Sequence, residues 1–387
     1  MVVPVAQAVV AAGLAQVKVL ALTTAAPEVR TAQLNLLQIK DFVRAGNIAD
    51  EAALEIGRRL MRDMPAVEDP DETTAYLGLS YAELEEDVGA KEAARRYSYR
   101  GRQAFHPRRM LLRVLRDVAP DLVFATNSPR AERASIEAAR VLKLPSICLV
   151  DLFCIDEIAW IGEPDYADKI CVLNDSVKHF LLSAGRSDSQ VSVTGNPAFD
   201  TLSDPIHRQA GERLRREMGW MSRRVLLWPV QEEPAVHPIN GKLGDPLLPA
   251  KTLNKIVSWV LAKPDTVLCV RSRAGAIPPS LPQHSRLVVT GQEIELSVLL
   301  QAVDLVITLN STVGLEGYLT GLPVVQVLGS LYDDAVPLKR YDLADEAVTV
   351  AGIPHALNRC IVKERRPMGK QQESASSRVL KVINTFL

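Results

Sequence analysis

Short apolar runs alternate with amphipathic stretches along most of this chain. Residues 146–150, 224–229 and 305–308 are apolar runs with the length of buried strands, and stretches with helical spacing separate such runs. Strands that are joined by helices of about ten residues form βαβ units, in which the strands are parallel. The pattern therefore predicts an α/β fold with parallel sheets.

The predicted elements fall into two series, which we interpret as two Rossmann-like domains facing across a cleft. Ligands of open α/β sheets bind at the carboxyl ends of the strands, so we expect the site in that cleft. We predict an N-terminal domain over 1–203, a C-terminal domain over 204–368 and a helix in 369–387 that can cross back to the first domain. The predicted strands are 17–24, 121–126, 146–150, 169–173, 190–193, 224–229, 266–271, 287–289, 305–308 and 323–327, and the predicted helices are 4–15, 27–45, 110–118, 130–142, 175–184, 201–219, 250–262, 293–302 and 312–320, with helical insertions and loops over 46–110.

The composition is that of a folded protein with an even charge balance. The chain has 387 residues, of which 47% are hydrophobic and 24% charged, and this is enough for two domains with their own cores. Its 45 basic and 46 acidic residues give a formal net charge of −1. We expect no nucleic-acid partner, because such binding requires concentrated positive charge.

The cysteines, the histidines and the N-terminal residues indicate the cellular compartment and the kinds of site to expect. Five scattered cysteines form no C-x-x-C pair and six dispersed histidines have no ligand spacing, so we expect a reducing compartment and no metal site. Residues 2–15 lack the basic start of a signal peptide, and Pro4, Gln7, Gln16 and Lys18 interrupt the apolar run that a membrane span requires. A cytoplasmic protein is therefore expected.

One stretch, 95–116, departs from the even charge balance. A solvated helix face and a patch for an anionic acceptor or a membrane surface both fit its pattern, so peripheral membrane contact through this stretch is one of our expectations. Its arginines are Arg95, Arg96, Arg100, Arg102, Arg108, Arg109, Arg113 and Arg116.

The segment DLVITLNSTVGLEGYLTGLPVV, residues 304–325, contains the strongest candidate site. An apolar strand ends at Thr308, and the asparagine, serine and threonine that follow are residues that cap a helix start. Free backbone N–H groups at that helix start can bind a phosphate, and Gly314 allows a close approach. Glu316 lies one turn after Thr312 on the same face, where its carboxylate could bind the hydroxyls of a ribose. Capping alone also accounts for the serine and the threonine.

Three segments together resemble the GT-B proteins, near the non-hydrolysing UDP-N-acetylglucosamine 2-epimerases and the capsule-type glycosyltransferases. Residues 304–325 are similar to the C-terminal-domain motif of that group. VSVTGNPAFDTL, residues 191–202, resembles the stretch that closes their N-terminal domain, and 120–153 resembles a central strand–helix–strand of the same domain. The resemblance frames most of 110–345 and does not cover 46–105.

The resemblance implies a nucleotide sugar, with a UDP-sugar expected, as the donor substrate, no tightly bound cofactor and no metal. In such proteins the helix start holds the diphosphate and the motif glutamate holds the ribose. A strand-ending turn is the alternative for the glycine and asparagine of the second segment. Carried over, the nucleotide-sugar-binding residues are Ser311, Thr312, Val313 and Gly314 at the phosphates, Glu316 at the ribose, and Gly195 and Asn196 at the hinge, and Asn310, just before the helix start, is counted with them.

Two arginines at the end of another predicted strand are further candidates for binding the donor. Arg271 and Arg273 follow the apolar run that begins at Thr266. Guanidinium groups there could neutralise a diphosphate leaving group. A surface ion pair is the alternative interpretation.

The sequence also departs from the pattern of the 2-epimerases. Their basic loop after the first strand of the C-terminal domain is replaced by Gln231, Glu232 and Glu233, and their paired acid by the single Glu316. An acid at the end of an N-terminal-domain strand corresponds to the amide Asn127. Epimerisation needs acid and base groups placed on the sugar, so these changes favour glycosyl transfer.

The start of the chain departs from the family as well. GT-B proteins begin with a strand and a glycine-rich turn, whereas residue 1 here falls in the predicted first helix. We expect either a trimmed or misassigned start or a protein without that strand. The second case would put catalytic competence in doubt.

The candidates for the catalytic base follow the predicted strand 146–150. Asp151 ends that strand and is our first candidate, Asp156 is the second, and Glu157 lies just beyond them. An inverting transferase needs such a group to remove the proton of the acceptor hydroxyl, although either aspartate could instead cap a helix. His237 is a further candidate.

These observations favour a metal-independent glycosyltransferase of polysaccharide or glycoconjugate synthesis. Its acceptor would be a saccharide or a lipid-linked molecule. Two alternatives remain open from the sequence. One is a sugar-nucleotide epimerase or hydrolase of the 2-epimerase type, and the other is a non-catalytic nucleotide-sugar-binding protein.

Overall fold

Parallel sheets form the framework of both halves of the chain. The computed structural model describes residues 1–62, 64–202, 204–237, 241–273, 275, 279–367 and 373–387. The strands are β1 Lys18–Leu20, β2 Asn35–Leu37, β3 Val123–Thr126, β4 Ser146–Leu149, β5 Lys169–Val172, β6 Val191–Val193, β7 Arg224–Pro229, β8 Thr266–Arg271, β9 Leu287–Thr290, β10 Leu305–Thr308, β11 Val324–Val327 and β12 Glu346–Val348. The helices are α1 Val2–Ala11, α2 Ala26–Thr31, α3 Ile48–Met61, α4 Pro70–Val88, α5 Ala90–Arg100, α6 Arg108–Val118, α7 Ala131–Leu142, α8 Ile158–Ile161, α9 Asp175–Ser183, α10 Pro205–Glu217, α11 Leu248–Leu261, α12 Leu296–Ala302, α13 Thr312–Leu319, α14 Ile353–Cys360 and α15 Ala375–Ile383.

The chain divides into two units, each with its own parallel sheet. Unit 1 is Met1–Ala198 with Glu373–Leu387, and unit 2 is Phe199–Gln372. Among the described residues, unit 1 has a sheet of order β3-β4-β5-β6 and a small β1-β2 sheet, and unit 2 has a sheet of order β12-β11-β10-β7-β8-β9. The predicted α/β class with two Rossmann-like parallel sheets is thus confirmed. Residues 203, 368 and 369, at which we placed the domain boundaries, lie outside the described residues.

Most predicted elements are present, and the predicted helix over 27–45 is wrong. The helix α2 ends at Thr31, and Gln33 adopts a positive φ of 56°. The chain then forms β2, which pairs in parallel with β1, and a short 3-10 helix over Ile39–Phe42. The apolar residues of this stretch fit helical spacing, but pairing with β1 satisfies the backbone and overrides that preference. The elements α8, β12 and α14 were not predicted.

The same kind of hydrogen bond fixes the starts of three pairs of parallel strands. An aspartate that directly precedes one strand accepts a hydrogen bond from the first or second backbone N–H of the neighbouring strand. Such a carboxylate satisfies a donor that the ladder leaves unpaired, and it holds two strands in register. The pairs are Asp168 with the Ser146 N–H (2.8 Å), Asp304 with the Val225 N–H (2.8 Å) and Asp345 with the Val324 N–H (2.9 Å).

The C-terminal helix α15 packs in unit 1 beside α1. Val5 and Val9 of α1, with Val379 of α15, are buried in one cluster against Ile147 of β4. Burying side chains of this size stabilises a fold by about 1.5–3 kcal/mol each. The Arg378 side chain also donates to the Thr194 carbonyl at 2.7 Å, so the final residues of the chain belong to the first unit.

The helical insertion over 46–105, which the resemblance did not cover, is held by buried carboxylates. Asp50 is bound by the Arg113 guanidinium at 2.7 Å and 2.9 Å. Glu83 of α4 accepts the backbone N–H groups of Arg109 (2.7 Å) and Met110 (3.1 Å), so it caps the start of α6 from a different helix. The insertion is therefore joined to α6 by polar contacts as well as by packing.

Two further features bear on the expectations from the sequence. All five cysteines are free and buried, as small apolar side chains are. No helix within the described ranges is long and apolar enough to cross a membrane.

Candidate functional site

The strongest candidate site lies at the carboxyl edge of the unit 2 sheet, where β7 and β10 are neighbours. The backbone N–H groups of Leu309, Asn310 and Ser311 converge there on one oxygen, Oε1 of Gln231, at 3.1, 2.8 and 3.0 Å. The hydroxyl of Thr308 donates to the same oxygen at 3.2 Å. Successive N–H groups arranged in this way form a concave receptor for an oxygen with negative charge. We call these four donors the nest.

The loop after β7, which contains Gln231, also contains Glu233, and Glu233 fixes the loop after β11. The buried carboxylate of Glu233 accepts the Ser330 hydroxyl at 2.8 Å and the Leu331 N–H at 2.6 Å. The Asn310 side chain donates in turn to the Ser330 hydroxyl at 2.7 Å. Gln231 and Glu233, which replace basic residues of the 2-epimerases, therefore organise the two loops on either side of the nest.

The start of α13 follows the nest directly. Ser311 is the N-cap, and its hydroxyl accepts the Val313 N–H at 3.2 Å. Thr312 is the first helical residue and is exposed, and the first N–H groups of a helix have no acceptor within it. A Cβ on Gly314 would lie 2.5 Å from the Thr308 side chain, so close packing already requires this glycine. Ser311, Thr312 and Val313 thus lie around the exposed helix start that the sequence indicated.

Glu316 lies one turn further along α13 and is half-buried. Burial raises the pKa of this carboxyl, while a hydrogen bond with the Thr312 side chain and the charge of Arg271 act in the opposite direction. Glu316 therefore lies close to Thr312 and within the electrostatic reach of Arg271.

The two arginines after β8 have partners within unit 2. The Arg271 guanidinium donates to the Ile294 carbonyl at 2.7 Å, which leaves other N–H groups of its fork for a ligand. Arg273 forms an ion pair with Glu232 at 2.5 Å, and both of these side chains are exposed. The surface ion pair that we considered as an alternative is thus present for Arg273.

In unit 1, the turn after β4 brings three of the predicted residues together. The Asp151 N–H donates to the Asn127 side chain at 2.9 Å, and the Asp151 carboxylate accepts the Leu152 N–H at 2.7 Å. Asn196 is buried and donates to the Asp151 carbonyl at 2.8 Å. Gly195 has a positive φ of 77°, and a Cβ there would lie 2.8 Å from the Arg378 guanidinium. Both residues of the predicted hinge therefore have structural roles inside unit 1.

Glu157, just before α8, is a carboxyl of this turn with a raised pKa. Burial raises the pKa of Glu157 to about 7; its own backbone N–H partly offsets that effect, and the charges of Asp151 and Asp156 add to it. Asp156, the second candidate from the sequence, is exposed. A carboxyl with a pKa near neutrality is the one suited to exchange a proton at physiological pH.

Sequence reasoning thus missed two residues that the structure makes prominent. Gln231 was noted only as a departure from the family, because nothing in its neighbourhood in sequence shows that it reaches the end of β10. Glu157 was noted without a role, since its burial depends on how the turn after β4 folds. His237, the further candidate, lies near Tyr332, with ring centroids 5.2 Å apart.

Known proteins match this chain in one segment of its sequence and in its fold. A model of the capsule polysaccharide biosynthesis protein family matches residues 259–338, which include the nest and α13. Among curated proteins, no match was found.

Several solved structures share the fold. A putative UDP-N-acetylglucosamine 2-epimerase from Listeria monocytogenes is 14% identical, with a TM-score of 0.56 over 99% of this chain and 92% of that one. The glycotransferase of kitacinnamycin is 12% identical, with a TM-score of 0.54 over 100% of this chain and 94% of that one. A UDP-N-acetylglucosamine 2-epimerase from Methanocaldococcus jannaschii is 15% identical, with a TM-score of 0.51 over 72% and 82% of the two chains. The chain therefore has the GT-B fold that the sequence predicted.

Proposed function

We propose that this protein is a glycosyltransferase that uses a nucleotide-activated sugar, with a UDP-sugar as the expected donor, in polysaccharide or glycoconjugate synthesis. The observation that carries the proposal is the nest after β10, where three successive N–H groups and a hydroxyl bind one oxygen atom. The family match over 259–338 and the likeness to enzymes whose names include UDP-sugars and a glycotransferase agree with it.

In this proposal the diphosphate binds at the nest and at the start of α13. The oxygen of Gln231 marks where a phosphate oxygen would bind, and the donor displaces it. A phosphate carries more negative charge than an amide oxygen, so its hydrogen bonds to the same donors are stronger by roughly a factor of two. The backbone N–H of Thr312, an exposed residue at the start of α13, and the guanidinium of Arg271 would bind the remaining oxygens.

Glu316 is proposed to bind the ribose. Its carboxylate is one turn from Thr312 and is half-buried, so it has lost some of its hydrogen bonds to water. The two hydroxyls of a ribose would donate hydrogen bonds in place of that water. We expect Glu316→Ala to weaken nucleotide binding by at least about 1 kcal/mol, which is the scale of hydrogen bonds to a charged group.

For the catalytic base we propose Glu157 in place of our first choice from the sequence. Each of these carboxylates accepts one backbone N–H, Asp151 from Leu152 and Glu157 from its own residue, and burial raises the pKa of Glu157 to about 7. A base with that pKa is largely ionised slightly above neutrality and still accepts a proton well. The acceptor hydroxyl would lose its proton to Glu157 as its oxygen bonds to the anomeric carbon of the sugar. The bond from that carbon to the diphosphate would break in the same step, and the nucleoside diphosphate would leave.

Product analysis distinguishes glycosyl transfer from the second candidate, a sugar-nucleotide epimerase. Transfer requires an acceptor, whereas epimerisation or hydrolysis proceeds on the donor alone. The full chain would be incubated with each UDP-sugar, with and without a set of saccharide and lipid-linked acceptors, and free UDP and sugar products measured. Acceptor-dependent UDP release supports the proposal, and acceptor-independent change of the donor sugar contradicts it.

A further inference from the structure

A basic segment of unit 1 is far more positive than the rest of the chain. Residues 90–116 contain nine lysines and arginines and the single acid Glu92, which gives this segment a formal charge of +8 in a chain of net charge −1. The remaining residues then carry −9. A charge separation of this size within one chain indicates a surface that meets an anionic partner.

The structure separates the arginines of this segment into two groups. Arg113 is bound to the buried Asp50 at 2.7 Å, and Arg109 forms an ion pair with Asp87 at 2.8 Å and a longer one with Glu86 at 3.2 Å. These two arginines have structural partners on the insertion. The remaining cations are concentrated on α5 and the residues that follow it.

The helix α5 offers almost its whole surface to solvent. Ala93 is its one buried residue among the eleven, all of which the structure describes. The helix carries the exposed cations Lys91, Arg95, Arg96 and Arg100. Arg95 and Arg96 lie one helical turn before Tyr99, whose side chain is 73% exposed. Glu92, the one acid on the helix, is shared by Arg95 and Arg96 at 2.7 Å and 2.8 Å, so the helix keeps a net charge of +3.

We propose that α5 docks the protein on an anionic lipid surface. An exposed helix with arginines and lysines around an aromatic ring is the pattern of an interfacial segment, because the cations bind lipid head groups and the ring enters the boundary with the acyl chains. Tyrosine is suited to that boundary, since its ring is apolar and its hydroxyl polar. The partner is a bilayer rather than a nucleic acid, because the helix has one exposed aromatic residue and no series of them for bases to stack on.

This inference is independent of the proposed function, because lipid binding requires no nucleotide. The test is co-sedimentation of the full chain with vesicles of phosphatidylcholine and phosphatidylglycerol at 3:1, without nucleotide, against vesicles of phosphatidylcholine alone. We expect binding only to the anionic vesicles, with release at about 0.5 M salt because salt screens the attraction.

The decisive variant reverses two charges of α5 that have no ion pair within the described part of the chain. Lys91→Glu with Arg100→Glu should weaken vesicle binding by at least about 25-fold, since each cation near an anionic surface contributes about fivefold. The matched control, Arg213→Glu with Lys255→Glu, makes the same change at exposed positions of two helices of unit 2 and should bind as the unchanged protein does. Tyr99→Ala should weaken binding severalfold and leave its salt dependence unaltered.

Three results would overturn the proposal. They are equal binding to both kinds of vesicle, equal loss in the α5 variant and its control, and tighter binding to a single-stranded oligonucleotide than to the anionic vesicles. The melting temperature of each variant, measured in the same buffer, shows that the protein remains folded.

Discussion

The two units present different chemistry at the carboxyl edges of their sheets. After β10, unit 2 presents backbone N–H groups that are satisfied by a neutral amide, Gln231. After β4, unit 1 presents three carboxylates, of which Glu157 has its pKa raised to about 7 by burial. Backbone donors that are fixed in place are suited to binding an anion, and a perturbed carboxyl is suited to moving a proton. Under the proposed function, unit 2 would therefore bind the diphosphate and unit 1 would supply the base.

The largest effect is expected from Glu157→Gln. If this carboxylate is the base, the variant should lose about 100-fold or more in kcat, because general bases typically contribute that much. The rate of the unchanged protein should rise with pH through about 7 and then level, since the ionised form is the active one. Steady-state rates between pH 5.5 and 8.5 would check this.

Asp156→Asn, at the exposed neighbouring carboxylate, is the matched control and should retain most of the rate. If the Glu157→Gln variant kept the pH dependence of the unchanged protein, Glu157 would not be the catalytic base.

A second carboxylate of unit 1, Glu137, should affect stability and not proton transfer. Burial would raise its pKa, but His106 at 2.7 Å and Arg133 at 2.8 Å together hold the pKa at about 2. A lowered pKa stabilises the fold above the unfolded value of about 4.3, and this stability is lost as the pH falls towards 2. Glu137→Gln should therefore cost about 3 kcal/mol of unfolding free energy at pH 7.

Urea unfolding at pH 7 and pH 4 would measure this cost, with the exposed Glu163→Gln as the control. The difference between Glu137→Gln and the unchanged protein should be smaller at the lower pH. If the difference in unfolding free energy were larger at pH 4 than at pH 7, the ionised form of Glu137 would not be the one that stabilises the fold.

For the nest, Gln231→Glu is the sharpest change. The new carboxylate can accept the same donors as the amide, but it loses the hydrogen bond of the amide N–H to the Pro229 carbonyl (3.1 Å), and its charge would oppose an incoming diphosphate. We expect nucleotide affinity to fall by at least about tenfold, which is 1.4 kcal/mol, in a variant that remains folded. Calorimetric titration with UDP would measure the affinity.

Gln283→Glu adds the same charge at an exposed position of unit 2 and serves as the control. Equal affinities for the Gln231 variant, the control and the unchanged protein would place the diphosphate elsewhere.

The smallest effect is expected from Glu316→Ala, at about 1 kcal/mol of nucleotide affinity. If Glu316 binds the ribose, the variant should discriminate less between a ribonucleotide and its deoxyribose counterpart. Competition between UDP and dUDP would measure this ratio. A weaker affinity with the ratio unchanged would indicate that Glu316 acts only through α13.

The fold was more accessible from the sequence than the site. The strands 224–229, 266–271 and 305–308 were predicted with their observed bounds, because buried parallel strands are short apolar runs between recognisable helices. The predicted helix over 27–45 failed because pairing of β2 with β1 is a tertiary contact that local spacing does not reveal.

Within the site, local signals indicated the helix start at Ser311 and its exposed neighbour Thr312. The role of Gln231 depends on a contact between residues far apart in sequence, with the end of a different strand. The raised pKa of Glu157 depends on burial, which is a property of the folded turn. Residue types in the sequence therefore predicted the helix start at which backbone N–H groups are available. They did not predict that the Gln231 side chain binds the N–H groups of the nest, or that Glu157 is buried, because both depend on the folded structure.

The central claim, that the nest binds a diphosphate, is tested most directly by calorimetric titration of the full chain with UDP and with uridine. The two ligands share base and ribose and differ in the diphosphate. We predict that UDP binds with an affinity at least about 100-fold higher than uridine, because only UDP can replace the oxygen of Gln231 with a charged one. Equal affinities for UDP and uridine, or no binding of any nucleoside diphosphate in a set that also includes GDP, CDP and dTDP, would contradict it.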